Sequence, residues 1–145
     1  MNAQSRTDTP VGVVVVTHTD YGSRLIAAAE FILGPQEFCQ AVSVDMTKAV
    51  DETLVALKTA IKETDRGGGV LILTDMFGGT PTNMSLSLLA SGHLEVLTGV
   101  NLPMLIKILG SRTKALETLA VEAKQAGCQG IVVAGEVLRK KVAEG

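Results

Sequence analysis

Runs of consecutive apolar residues, many of them β-branched, recur along the chain at about 11–17, 41–45, 69–75, 94–98 and 130–134. Unbroken apolarity over so short a run is the pattern of a strand covered on both faces, as in a parallel sheet. Between these runs the period changes. Leu25, Ile26, Ala29, Ile32 and Leu33 fall on one face of a helix, which Gly34-Pro35 stops with a C-cap glycine and a proline. Val50, Leu54, Leu57 and Ile61 repeat at helical spacing, with Lys58, Lys62 and Glu63 pointing outward. Gly67-Gly68-Gly69 precedes a strand and opens no helix, so it reads as a turn and not as a phosphate loop. A third helix begins at Thr80-Pro81, and Leu116, Leu119, Ala120 and Ala123 mark a later one.

Alternating strands and helices imply parallel strands joined by crossovers, with helices on both faces of the sheet. The predicted fold is one doubly wound α/β domain over residues 11–145, mostly parallel, preceded by a polar tail at residues 1–10. A chain of 145 residues suits a single core of ordinary size.

Composition narrows the function more than the fold. With 46% hydrophobic residues, 19% charged residues and a net charge of −2, the chain reads as globular and ordered. Its lysines and arginines are scattered, so no nucleic acid partner is expected. The first apolar run stops at Thr17-His18, too short for a secretory signal, and Lys107 breaks the apolar stretch at 100–109. A cytoplasmic protein without direct membrane insertion is the expectation. Cys39 and Cys128 lie far apart and form no metal-ligand spacing, which reads as two idle thiols.

Candidate chemistry gathers where the strands end. The first strand runs into Thr17-His18-Thr19-Asp20, the second ends at Asp45, the third at Thr74-Asp75, and the fourth runs into Thr98-Gly99-Val100-Asn101. All four sets lie at carboxyl ends of strands, the edge where open parallel sheets place ligands. If the first and third strands are neighbours, His18 and Asp75 approach each other. A neutral imidazole is a good nucleophile, and a carboxylate on its other nitrogen orients it and stabilises its charge. In FGGTPTN (residues 77–83), Gly78 and Gly79 permit close backbone approach. Thr80 can serve as N-cap and Pro81 fits the first helical turn. Such a helix start can hold an anion on its free amides, and it is equally the sequence of a silent capped turn. His93, in the loop at 90–95, reads as a solvated surface histidine on the opposite edge of the sheet. The chain lacks a G-x-S-x-G elbow, a dinucleotide fingerprint after the first strand, and enough ligands for zinc.

VVVVTH (13–18), VLILTDMFGGTPTN (70–83) and LTGVNLPML (97–105) together resemble the mannose-family IIA component of the bacterial phosphoenolpyruvate:sugar phosphotransferase system. The resemblance covers residues from about 11 to about 135 in the family's order. It implies that His18 accepts a phosphoryl group from the phosphocarrier HPr and passes it to a histidine of a IIB component. That component in turn serves sugar uptake through the IIC and IID membrane permease. It also implies Asp75 as the hydrogen-bonding partner of His18, and Thr80, after Gly78 and Gly79, as a phosphoryl-binding hydroxyl. Thr19, Phe77 and Asn101 fall at the rim of this site. No cofactor and no metal are implied. A homodimer is, with the last strand, at 130–134, exchanged between subunits.

Three departures stand out. Thr19 occupies a position where the family commonly has glycine, Thr80 replaces a serine, and DMTKAV (45–50) replaces a Pro-Gly-Glu-like turn. Thr80 keeps a hydroxyl, whereas Thr19 puts a β-branched side chain beside the nucleophile. An alternative role is a regulatory phosphohistidine module that signals metabolic status to a partner without transporting sugar. A receiver domain with Asp75 as phosphoacceptor is disfavoured, because the acidic pair after the first strand and the lysine after the fifth are missing.

Overall fold

The computed structural model describes residues 9–145, so most of the polar tail expected at 1–10 lies outside the described residues. Its elements in chain order are β1 (Gly12–His18), α1 (Tyr21–Leu33), β2 (Cys39–Val44), α2 (Val50–Thr64), β3 (Val70–Thr74) and α3 (Thr80–Ser87). After a short 3-10 turn at Leu89–Ser91 come β4 (Leu94–Thr98), α4 (Leu102–Leu109), α5 (Leu116–Gln129) and α6 (Ala134–Glu144). The strands form one parallel sheet in the order β2-β1-β3-β4, with Val15 of β1 in register with Ala41 on one side and Leu73 on the other.

The alternation of side chains along β1 divides the core into two layers. Val11, Val13 and Val15, with Leu71 and Leu73, pack beneath Ile26 and Ala29 of α1, Leu105 and Ile108 of α4, and Leu119 and Ala123 of α5. Val14 and Val16 point the other way and join Val42, Val70 and Ile72 beneath Leu57 and Ala60 of α2 and Met84 of α3. Each buried Val, Leu or Ile among these contributes about 1.5–3 kcal/mol by leaving water, which favours apolar residues along β1 and β3 up to the threonines at their ends.

Two helical stripes reach less far than their spacing predicts. Ile32 and Leu33 at the end of α1, and Val50 at the start of α2, are exposed. The apolar stretch that begins at Val100 contains α4, which turns Met104, Leu105, Ile108 and Leu109 into the core. Among the described residues, no helix is long and apolar enough to cross a membrane.

The fifth apolar run requires a correction. Gly130 ends α5, residues 131–133 pair with no strand, and α6 begins at Ala134. A strand exists only through its partner, and among the described residues nothing is aligned with this run. Ile131, Val132 and Val133 are exposed, as are Val137, Leu138 and Val142 of α6.

The strand order positions the site. From β1 the chain moves outward to β2, then returns across β1 to β3, so the direction of winding reverses between β1 and β3. The helix after β1 packs on one face and the helix after β3 on the other. Their connections diverge at the carboxyl ends of two adjacent strands, the switch point where open parallel sheets place ligands.

Candidate active site

The ends of β1 and β3 bring His18 and Asp75 together. Asp75 Oδ2 accepts the His18 backbone N–H at 3.0 Å and lies 2.8 Å from His18 Nδ1. The same oxygen accepts the Tyr21 hydroxyl at 2.7 Å. Burial by itself pushes the Asp75 carboxyl up. The His18 amide, the His18 ring and Tyr21 outweigh that effect and hold it below its ordinary value. An ionised carboxylate only accepts hydrogen bonds, so His18 Nδ1 carries the proton toward Asp75, and in the neutral ring that tautomer puts the lone pair on Nε2. The His18 side chain is 46% exposed while that of Asp75 is 9% exposed. The imidazole is thus half exposed while the carboxylate that orients it is largely buried.

Gly79 stands against the Cε1–Nε2 edge of the His18 ring. A Cβ built there would lie 3.2 Å from His18 Cε1 and 3.3 Å from Nε2, and the residue has φ +84°. Both the space and the backbone conformation favour glycine at this position. Gly78 also has positive φ but faces open space. Thr80 is not the N-cap expected from the sequence. Gly79 occupies that position, Thr80 begins α3, and no side chain caps the helix. Thr80 is exposed, its hydroxyl uncommitted to capping, and Pro81 sits in the first turn where its missing N–H costs nothing. Phe77 is 80% exposed beside this turn.

Buried hydroxyls hold the two connections in shape. Thr82 donates to the carbonyl of Met76 at 2.6 Å and lies 2.7 Å from the hydroxyl of Thr74, which ties α3 back to the end of β3. Thr17 donates to the carbonyl of Thr19 and accepts the amide of Gly22. Between them Thr19 bonds through its own amide to Val44 and adopts φ +60°, an unusual conformation for a β-branched residue.

The other polar strand ends serve local structure. Asp45 accepts the amide of Thr47 and lines a notch of about 220 Å³ with Met46, Val50 and Thr80. Asn101, expected at the rim of the site, caps α4 by accepting the amide of Met104 and donates to the carbonyl of Gly127. His93 is exposed on the opposite edge and pairs with Glu117 at 2.8 Å. Among the described residues, no group of three or more His, Cys, Asp or Glu side chains converges as a metal site. Tyr21 and Thr82 were not singled out by the sequence. Tyr21's place in the first turn after β1 was the one available signal.

The family model EIIA-man, described as PTS system fructose IIA component, matches residues 12–124. The chain is 30% identical over 132 residues to the PTS system fructose-specific EIIA component of Bacillus subtilis (strain 168), a match covering 90% of each. It is 28% identical over 124 residues to the PTS system mannose-specific EIIAB component of Escherichia coli (strain K12). That match covers 83% of this chain but spans only 38% of the longer protein. Among solved structures, the phosphotransferase system component EIIA from Streptococcus agalactiae superposes with a TM-score of 0.80 at 27% identity, covering 87% of this chain and 98% of that one.

Proposed function

Since the chain belongs to the EIIA-man family of phosphotransferase system IIA components, we propose that His18 carries a phosphoryl group from HPr to a histidine of a IIB component in sugar uptake. One observation carries this reading: a single Asp75 oxygen takes both the amide and the Nδ1 of His18, which leaves Nε2 free at the start of α3. In the forward step the Nε2 lone pair forms the new P–N bond. The donor's P–N bond breaks, and its electron pair returns to the donor nitrogen. Nδ1–H remains on Asp75 throughout, so the carboxylate balances the positive charge of the phosphorylated ring. In this reading the Thr80 hydroxyl and the amides of the Gly78-Gly79 turn hold the phosphoryl oxygens, which the exposure of Thr80 at the start of α3 supports. Phe77 and Thr19 form the rim.

Met46, Met76 and Phe77 are exposed on this edge and provide an apolar collar suited to a protein partner that brings its own histidine. The protein acts in the cytoplasm as a homodimer, with residues 130–134 pairing as a strand of the other subunit. The exposure of Ile131, Val132 and Val133 supports that exchange.

The test is a reconstituted relay. Incubation with phosphoenolpyruvate, enzyme I and HPr yields an acid-labile, base-stable phosphohistidine, and His18→Ala abolishes it. Lack of label on the wild-type chain overturns the reading. Discharge of the label to an added IIB domain supports the transport role. A stable phosphohistidine that no IIB domain discharges supports a regulatory module instead.

A further inference from the structure

THTDYG (residues 17–22) delivers a second group to Asp75, and its role goes beyond phosphoryl acceptance. Asp75 Oδ2 receives three hydrogen bonds: from the His18 amide at 3.0 Å, from His18 Nδ1 at 2.8 Å and from the Tyr21 hydroxyl at 2.7 Å. Its other oxygen, Oδ1, is buried without a hydrogen-bond partner. The terminal torsion of an aspartate is broad and roughly two-fold, so a carboxylate held only by its histidine can swing between its oxygens. Convergence of three donors on one oxygen removes that freedom.

The connection is built to bring Tyr21 there. Gly22 is buried, and a Cβ on it would lie 3.1 Å from Thr17 Oγ1 and 3.2 Å from Val15 Cγ1. A side chain here would press on Thr17 and Val15 and force them to give by a few tenths of an ångström, so glycine favours this close approach of α1 to β1. The Gly22 amide then anchors on Thr17 Oγ1 at 3.2 Å, which in turn donates to the carbonyl of Thr19. With Thr19 in its left-handed conformation, the chain doubles back and sets Tyr21 over the end of β3.

We propose that Tyr21 is a positioning residue that clamps the Asp75 carboxylate, so that Oδ2 stays aimed at His18 Nδ1 and Nε2 remains the nucleophilic nitrogen. The proposal rests on the reading of His18 as phosphoryl acceptor. Partial burial, then the hydrogen bond and charge of Asp75, push the Tyr21 hydroxyl up to about 12. It therefore keeps its proton at neutral pH and acts purely as a donor. No proton leaves Tyr21 when the phosphoryl group arrives or departs.

Tyr21→Phe removes the hydroxyl and keeps the ring, which is partly exposed and whose packing the variant retains. Two readouts decide. Nitrogen-15 NMR of histidine-labelled protein, at a pH where the ring is neutral, shows the Nδ1–H tautomer for wild-type His18. In Tyr21→Phe it shows a mixture of both tautomers, approaching the signature of Asp75→Asn. The initial rate of phosphorylation by phospho-HPr falls roughly tenfold, because reacting atoms held less closely transfer more slowly. A wild-type tautomer signature or a wild-type rate overturns the proposal, including the case where only the melting temperature changes, which makes Tyr21 a mere tie between α1 and β3. If the wild-type chain accepts no phosphoryl group, the proposed function fails separately, and the nitrogen signature alone then decides for Tyr21.

Discussion

Among the described residues two histidine–carboxylate pairs have the same separation. His18 Nδ1 lies 2.8 Å from Asp75, and His93 Nε2 lies 2.8 Å from Glu117. They sit on opposite edges of the sheet, and what surrounds each carboxylate separates them. Glu117 is 71% exposed and receives the His93 ring as its side-chain partner, whereas Asp75 is 9% exposed and receives three donors on one oxygen. The hydrogen bond from His93 holds the Glu117 carboxyl below its ordinary value, as several groups do for Asp75. Direction of shift and distance therefore fail to distinguish a reactive pair from a surface pair. Burial of the orienting carboxylate and the number of donors converging on it do distinguish them, since the two rings are about equally exposed, at 46% and 53%.

Asp75→Asn breaks the first pair most severely. Initial rates of His18 phosphorylation fall by about 10²-fold, in the range seen when a preorganised electrostatic partner is removed. A rate within threefold of wild type, with about that factor as assay scatter, contradicts the role given to Asp75. The pair also leaves a signature in acid. Because the folded Asp75 carboxyl sits below its ordinary value of 3.8, its contribution to stability is present above that pH and is lost as pH falls through the folded value. Denaturant melts of wild type should lose stability more steeply than Asp75→Asn below about pH 4. Parallel acid limbs would remove this contrast.

Thr19→Gly sharpens the comparison from the backbone side, since the His93 loop has no residue of this kind. Releasing a β-branched residue from φ +60° recovers about 1–2 kcal/mol, and the freedom of glycine in the unfolded chain costs about 0.5–1 kcal/mol. The expected outcome is a gain of up to about 1 kcal/mol in thermal or urea melts. A net loss would mean that the Thr19 side chain holds the site in ways its backbone bonds do not describe. Smallest of all is Glu117→Gln. Stability changes by less than about 0.5 kcal/mol, and phosphorylation of His18 is unaffected.

The sequence made the main pair legible because both members end apolar runs, and strand ends of a β-α-β chain share one edge. It missed Tyr21 for a physical reason. The reach of that hydroxyl depends on how closely α1 approaches β1, which is set by Gly22 against Thr17 and Val15, a packing contact no periodicity reveals. Thr82 has the same history: a threonine in a first helical turn is unremarkable until Thr74 and the Met76 carbonyl are found beside it. Thr80 was expected to cap α3, but Gly79 takes that position and leaves the hydroxyl free. Asn101, expected at the rim, is committed to α4 and α5.

Hydrophobic period determined four strands, the helices α1, α2 and α5 and the two-faced core, because burial on one face or both is written locally into each segment, whereas α4 and α6 emerged only in the structure. It also determined that His18 and Asp75 stand at strand ends. Which strands are neighbours, which oxygen of Asp75 is used and which hydroxyls are left free were decided only by the tertiary structure. The same holds for the run at 130–134, whose composition is that of a strand but which pairs with no strand among the described residues. Pairing is a property of two segments, and a segment's own residues state only its readiness for it.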